Sequence, residues 1–107
     1  MAELSAREKR LGLHLPVQVS GQDAANSPFA EATRSVNISA GGICFESRRN
    51  LVVGSRLTLH ISLPEPLRRH FGGRSVYRVR VAICRLEHLE GHDLYRASAR
   101  FLAEVEA

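Results

Sequence analysis

Val36-Asn37-Ile38-Ser39-Ala40-Gly41-Gly42-Ile43-Cys44-Phe45 is the stretch on which the fold turns. An apolar residue leads in, Asn37 and Ser39 stand two apart, two glycines follow, and Ile43 and Phe45 resume an extended pattern. That order reads as strand, tight turn, strand. The glycines are expected to supply the backbone angles of the turn and to let another molecule come close to the chain. Asn37 and Ser39 share one side of the chain as far as the strand runs. Two readings stand side by side: a hairpin turn capped by Asn and Ser with no ligand, or a small polar floor beside bare backbone.

Working outward, the chain on both sides reads as strands. Leu13, Leu15, Val17 and Val19 alternate with His14, Pro16, Gln18 and Ser20, a half-buried strand over residues 11–19 with Pro16 at its start or edge. Residues 21–28 collect Gly, Asp, Asn, Ser and Pro and form a loop. Strand two spans 29–38 and strand three 43–47. Residues 56–63 alternate cleanly, with Leu57, Leu59, Ile61 and Leu63 against Arg56, Thr58, His60 and Ser62. Pro64 stops that strand, residues 65–71 suit a short helical turn, and Gly72-Gly73 closes the excursion. Tyr77, Val79, Val81 and Ile83 mark strand five, the longest. Residues 87–92 turn through Gly91, and strand six over 94–102 places Tyr95, Ala97, Ala99 and Phe101 on one face. Six short strands between turn signals define an all-β, antiparallel barrel or sandwich. Closure into a six-stranded barrel removes its exposed edges. Leu57, Leu59, Ile61, Val79, Val81, Ile83 and Phe101 are the expected core.

At 107 residues the chain is one domain. Residues 1–10 form an expected flexible arm of mixed charge, 11–103 the barrel and 104–107 a tail. No apolar run reaches the roughly 18 residues of a membrane span, and Met1–Arg10 has no apolar signal-peptide region. Cys44 and Cys84 are in no Cys-x-x-Cys pair and read as reduced thiols of a cytoplasmic protein. The formal charge is +4, and of the fifteen basic residues only Lys9 is not arginine. Arginine makes two-pronged contacts with phosphates and guanine edges, although base composition of the genome also enriches it.

Several functions are set aside. Asp23 and Asp93 lie in loop or turn regions, and no Ser, His and acid form a recognisable motif, so the chain does not read as an enzyme. His88 and His92 flank a glycine turn, where their spacing has none of its helical meaning, and no metal site is expected. Single-stranded nucleic acid needs exposed aromatics beside a basic groove. Most of the aromatics here fall on core faces.

Arg10-Leu11-Gly12-Leu13-His14, followed by Asn37-Ile38-Ser39-Ala40-Gly41-Gly42, resembles the PilZ family of bacterial receptors for cyclic di-GMP. The family pairs an N-terminal Arg-x-x-x-Arg with a later Asp/Asn-x-Ser-x-x-Gly on a six-stranded antiparallel barrel. The resemblance covers nearly the whole chain, including the closing Ala99-Arg100-Phe101-Leu102. Asn37, Ser39 and Gly42 complete the second motif. Arg10 matches the first arginine, and His14 stands in place of the second. Many members add a C-terminal helix, which this chain is expected to lack.

The resemblance implies a cyclic di-GMP receptor or adaptor that acts on a protein partner and uses no cofactor. Arg10 would fork guanine N7 and O6, with Asn37 and Ser39 adding hydrogen bonds and Gly42 keeping the backbone clear. Neutral imidazole has one donor and cannot make the two-pronged contact. His14 therefore implies affinity lowered by about 1–3 kcal/mol, or a domain that has lost the ligand and serves only protein interactions.

Overall fold

Apolar residues at every second position become the inside of a closed barrel. The computed structural model describes residues 10–105. The strands are β1 (Pro16–Gln22), β2 (Pro28–Ile38), β3 (Gly42–Ser47), β4 (Arg56–Ser62), β5 (Val76–Leu89) and β6 (Leu94–Glu104). They close antiparallel in the order β1-β2-β3-β6-β5-β4, with β4 returning to β1. Helix α1 (Glu65–Arg68) and a single 3-10 turn (Arg69–Phe71) sit between β4 and β5. Gly72 and Gly73 then reverse the chain at φ values of 70° and 75°, where a side chain would be strained.

The core follows the register. Leu59 lies opposite Val19 on one side and Val79 on the other, and Ile61 opposite Val17. Leu59, Ile61, Val19 and Val79 are fully buried, each worth about 1.5–3 kcal/mol of apolar transfer. Leu67 and Phe71 of the helical excursion are buried as well.

Phe101 departs from its expected place in depth alone. It stays in register opposite the buried Val81 and packs against the core, but it is only half-buried. Its ring packs edge-on against Tyr77 at 5.6 Å and Phe71 at 6.3 Å. Burial, and then the Glu104 carboxylate, push the Tyr77 phenol above its ordinary pKa, so it stays uncharged at neutral pH.

Three boundaries also move. The first strand starts at Pro16, not residue 11. Pro16 has no N–H to give a ladder, and the segment before it is held by Ser35 instead. The buried Ser35 hydroxyl donates to the Leu13 carbonyl at 2.5 Å and accepts the Leu15 N–H at 2.8 Å. Second, β5 runs through Leu89, so the turn to β6 contracts to residues 90–93. Third, β6 continues through Glu104, and the Val105 N–H donates to the Arg78 carbonyl at 2.8 Å, so the barrel reaches into the expected tail. The expected arm, apart from Arg10, lies outside the described residues, as do residues 106 and 107. Cys44 is buried and Cys84 exposed, both as free thiols. Among the described residues the only helical segments are those at 65–71.

Candidate functional site

The β2–β3 hairpin builds one end of the barrel. An extra residue bulges β2 between Ser35 and Asn37, and Ile38 pairs with Ile43 to place both side chains fully in the core. The turn beyond them is closed by the Ser39 N–H donating to the Gly42 carbonyl at 2.9 Å. Ser39 is almost completely buried. Its hydroxyl accepts the Gly41 N–H at 3.3 Å and donates to the Gly42 carbonyl at 3.4 Å. It is therefore a staple of the turn as well as part of the wall of a concavity at this end of the barrel.

The turn does not use its glycines for left-handed backbone angles. Neither Gly41 nor Gly42 has positive φ. Gly41 faces open space. A Cβ on Gly42 would collide with the Ala99 carbonyl oxygen, because β3 runs tight against β6 there and Gly42 pairs with Arg100. Gly42 is required by strand packing.

Arg10 is brought to this rim by a short bridge. Leu11 and Ile38 exchange two backbone hydrogen bonds, at 2.8 and 3.0 Å. This sets the Arg10 guanidinium against Asn37, with Nη1 donating to Oδ1 at 2.8 Å. Arg10, Ser39 and Gly42 line an open concavity of about 390 Å³. Asn37 stands behind Arg10 as its anchor. His14 is apart from the concavity: it is exposed, and its Nδ1 donates to the Ser35 carbonyl at 3.0 Å. Of the five residues expected at the site, the structure thus gathers four and ties the fifth to the neighbouring segment of β2.

Cys84, Ser98 and Arg100 line the same concavity and were not expected there. The alternation of β6 shows that Ser98 and Arg100 point away from the core, but only the pairing of β3 with β6 brings them beside the glycine turn. A larger groove of about 680 Å³ runs over β2 and β3. Within it Arg34 pairs with Glu46 at 3.2 Å, and Glu31 accepts from the Ser47 hydroxyl and the Arg48 backbone N–H. Among the described residues no group of three His, Cys, Asp or Glu side chains could hold a metal ion.

The fold and site define a small, closed, antiparallel β-barrel whose polar groups gather at the rim of one hairpin. The PilZ domain family model matches residues 5–104, and the chain belongs to that family. Among solved structures it is similar to the Bacillus subtilis inhibitor of motility MotI/DgrA, at 23% identity with a TM-score of 0.65, over 90% of this chain and 42% of that one. It is also similar to the PilZ domain of Escherichia coli YcgR, solved with c-di-GMP, at 19% identity with a TM-score of 0.55, over 87% of this chain and 74% of that one. At these identities the likeness is one of fold, and the chain spans less than half the length of MotI. No curated protein matches the chain in sequence.

Proposed function

We propose that this domain binds cyclic di-GMP at the Arg10, Asn37, Ser39 and Gly42 rim and acts as a small signalling receptor or adaptor, with affinity lowered by His14. The observation that carries this reading is the Arg10–Asn37 contact at the mouth of the concavity. It fixes one edge of a planar cation, and a guanidinium has further N–H donors to offer a guanine edge. The family and the ligand seen with the YcgR domain support the same reading. The event is binding alone, with no catalysis and no cofactor. Ligand held at Arg10 engages the segment leading into the barrel, and a protein partner reads that change. A cytoplasmic setting suits a nucleotide messenger, and among the described residues no helix is long and apolar enough to cross a membrane.

A second reading rests on His14. Its Nδ1 is committed to the Ser35 carbonyl, leaving one ring nitrogen for a ligand, which favours a degenerate protein-interaction domain. Calorimetric titration with cyclic di-GMP separates the two. Wild type is expected to bind, and His14→Arg to bind roughly ten- to a hundred-fold tighter, the worth of one bidentate pair. Absence of binding by both proteins rejects the receptor reading and leaves the interaction domain.

A further inference from the structure

We infer that Arg100 is a further guanidinium of the binding site and offers the ligand, from β6, a two-pronged contact of its own. The inference rests on the cyclic di-GMP reading above. Ala97 and Ala99 point into the core, so Arg96, Ser98 and Arg100 point out of it. Arg100 pairs with Gly42 across β3–β6, where position 42 contributes no side chain beside it. It lines the same concavity as Arg10 and Ser39. The site therefore holds two guanidinium groups that arrive from different parts of the chain.

Arg100 differs from Arg10, its neighbour in the concavity, and from the ion-paired arginines. Arg34, Arg49 and Arg74 form ion pairs with Glu46, Asp23 and Glu104, and Arg10 is anchored on Asn37. Arg100 is exposed and has neither hydrogen-bond nor ion-pair partner among the described residues. Its five N–H donors are available to a ligand. A guanine edge presents two acceptors side by side, which suits a guanidinium fork and not a single imidazole N–H.

Cys84 provides a reporter for the place of binding. It is exposed and lines the concavity with Arg100, whereas Cys44 is buried. The experiment measures cyclic di-GMP affinity by calorimetry and the rate of Cys84 alkylation by iodoacetamide, for wild type, Arg100→Ala, Arg100→Gln and Arg100→Lys. The exposed position predicts unchanged melting temperatures for all three variants. Arg100→Ala and Arg100→Gln are expected to weaken binding roughly ten- to a hundred-fold. Arg100→Lys should recover little, since an ammonium lacks the fork. Saturating ligand should slow Cys84 alkylation in wild type, and the same ligand concentration should protect the Ala variant less. Binding by wild type with unchanged affinity in Arg100→Ala and Arg100→Gln overturns this inference alone. So does full affinity in Arg100→Lys, or ligand binding that leaves the Cys84 rate unchanged. Absence of wild-type binding overturns the receptor reading together with this one.

Discussion

The wall formed by β1, β4 and β5 and the rim at the β2–β3 hairpin are built on different physics. In the wall, Val19, Leu59 and Val79 lie side by side across three strands and are all fully buried. Stability there comes from apolar area removed from water, which is large, non-directional and shared among neighbours. At the rim, Arg10 holds Asn37 in an exposed hydrogen bond, and Arg100 has no partner among the described residues. Exposed polar contacts add little to stability, so the rim can present its donors to a ligand without weakening the barrel. Ser39 and Gly42 belong to both regions: one staples the turn and the other admits β6. Changes in the wall should be felt as stability, changes at Arg10 and Arg100 as binding, and changes at Ser39 and Gly42 as both.

The largest effect is expected from Leu59→Ala, which leaves a cavity between three strands. Denaturant unfolding should show a loss of about 2–5 kcal/mol. A much smaller loss would mean that the wall is not the main source of stability. Gly42→Ala comes next, at about 1–3 kcal/mol, because the added methyl forces β3 away from the Ala99 carbonyl. Gly41→Ala is its control and should stay within about 0.5 kcal/mol, since nothing lies near that position. Equal melting temperatures for the two glycine variants would remove the packing explanation of the motif glycine.

Ser39→Ala sharpens the boundary between the regions. Losing the hydroxyl that accepts from Gly41 should cost about 0.5–1.5 kcal/mol of stability and should weaken cyclic di-GMP binding as well. Weakened binding at wild-type stability would place Ser39 wholly in the site.

A smaller effect is expected at Asp23, in the β1–β2 loop away from the site. Its carboxylate accepts the Ser27 and Ala25 N–H groups, each at 3.0 Å, and pairs with Arg49. The Ser27 hydrogen bond, foremost among these contacts, holds its pKa below the ordinary 3.8. The folded pKa is depressed, so the contribution is present above 3.8 and fades as pH falls through the folded value. Asp23→Asn should therefore lower the melting temperature slightly at pH 7, and the difference should shrink below about pH 4. A gap that persists in acid would show that the charge is not its source.

Arg10→Ala should leave the melting temperature where it is and abolish binding, the reverse of Leu59→Ala. Lost stability in this variant would break the contrast between wall and rim.

Much of this division can be read along the chain because period-two alternation is a local property. Leu57, Leu59 and Ile61, like Val79, Val81 and Ile83, declare their faces within a few residues, and each is buried as its pattern requires. Asn37, Ser39 and Gly42 are likewise a contiguous motif, and their spacing locates the hairpin. Alternation also shows that Ser98 and Arg100 face outward. Their neighbours across the barrel are a different matter. Closure of the sheet sets β3 against β6, and that pairing alone places Arg100 beside Gly42 and gives the glycine its reason. Phe101 lies at the margin of the core, half-buried against Phe71 and Tyr77, and an extra residue interrupts β2 between Ser35 and Asn37. Ser35 shows the same limit: a serine amid a strand pattern carries no sign that its hydroxyl will hold the segment before Pro16. The strands, their inward faces and the motif residues are local properties of the chain, because backbone geometry assigns alternate side chains to opposite faces. Which motif residues are buried, why Gly42 is needed and which arginine shares the concavity with Arg10 follow from register and closure, which depend on residues far apart in the chain.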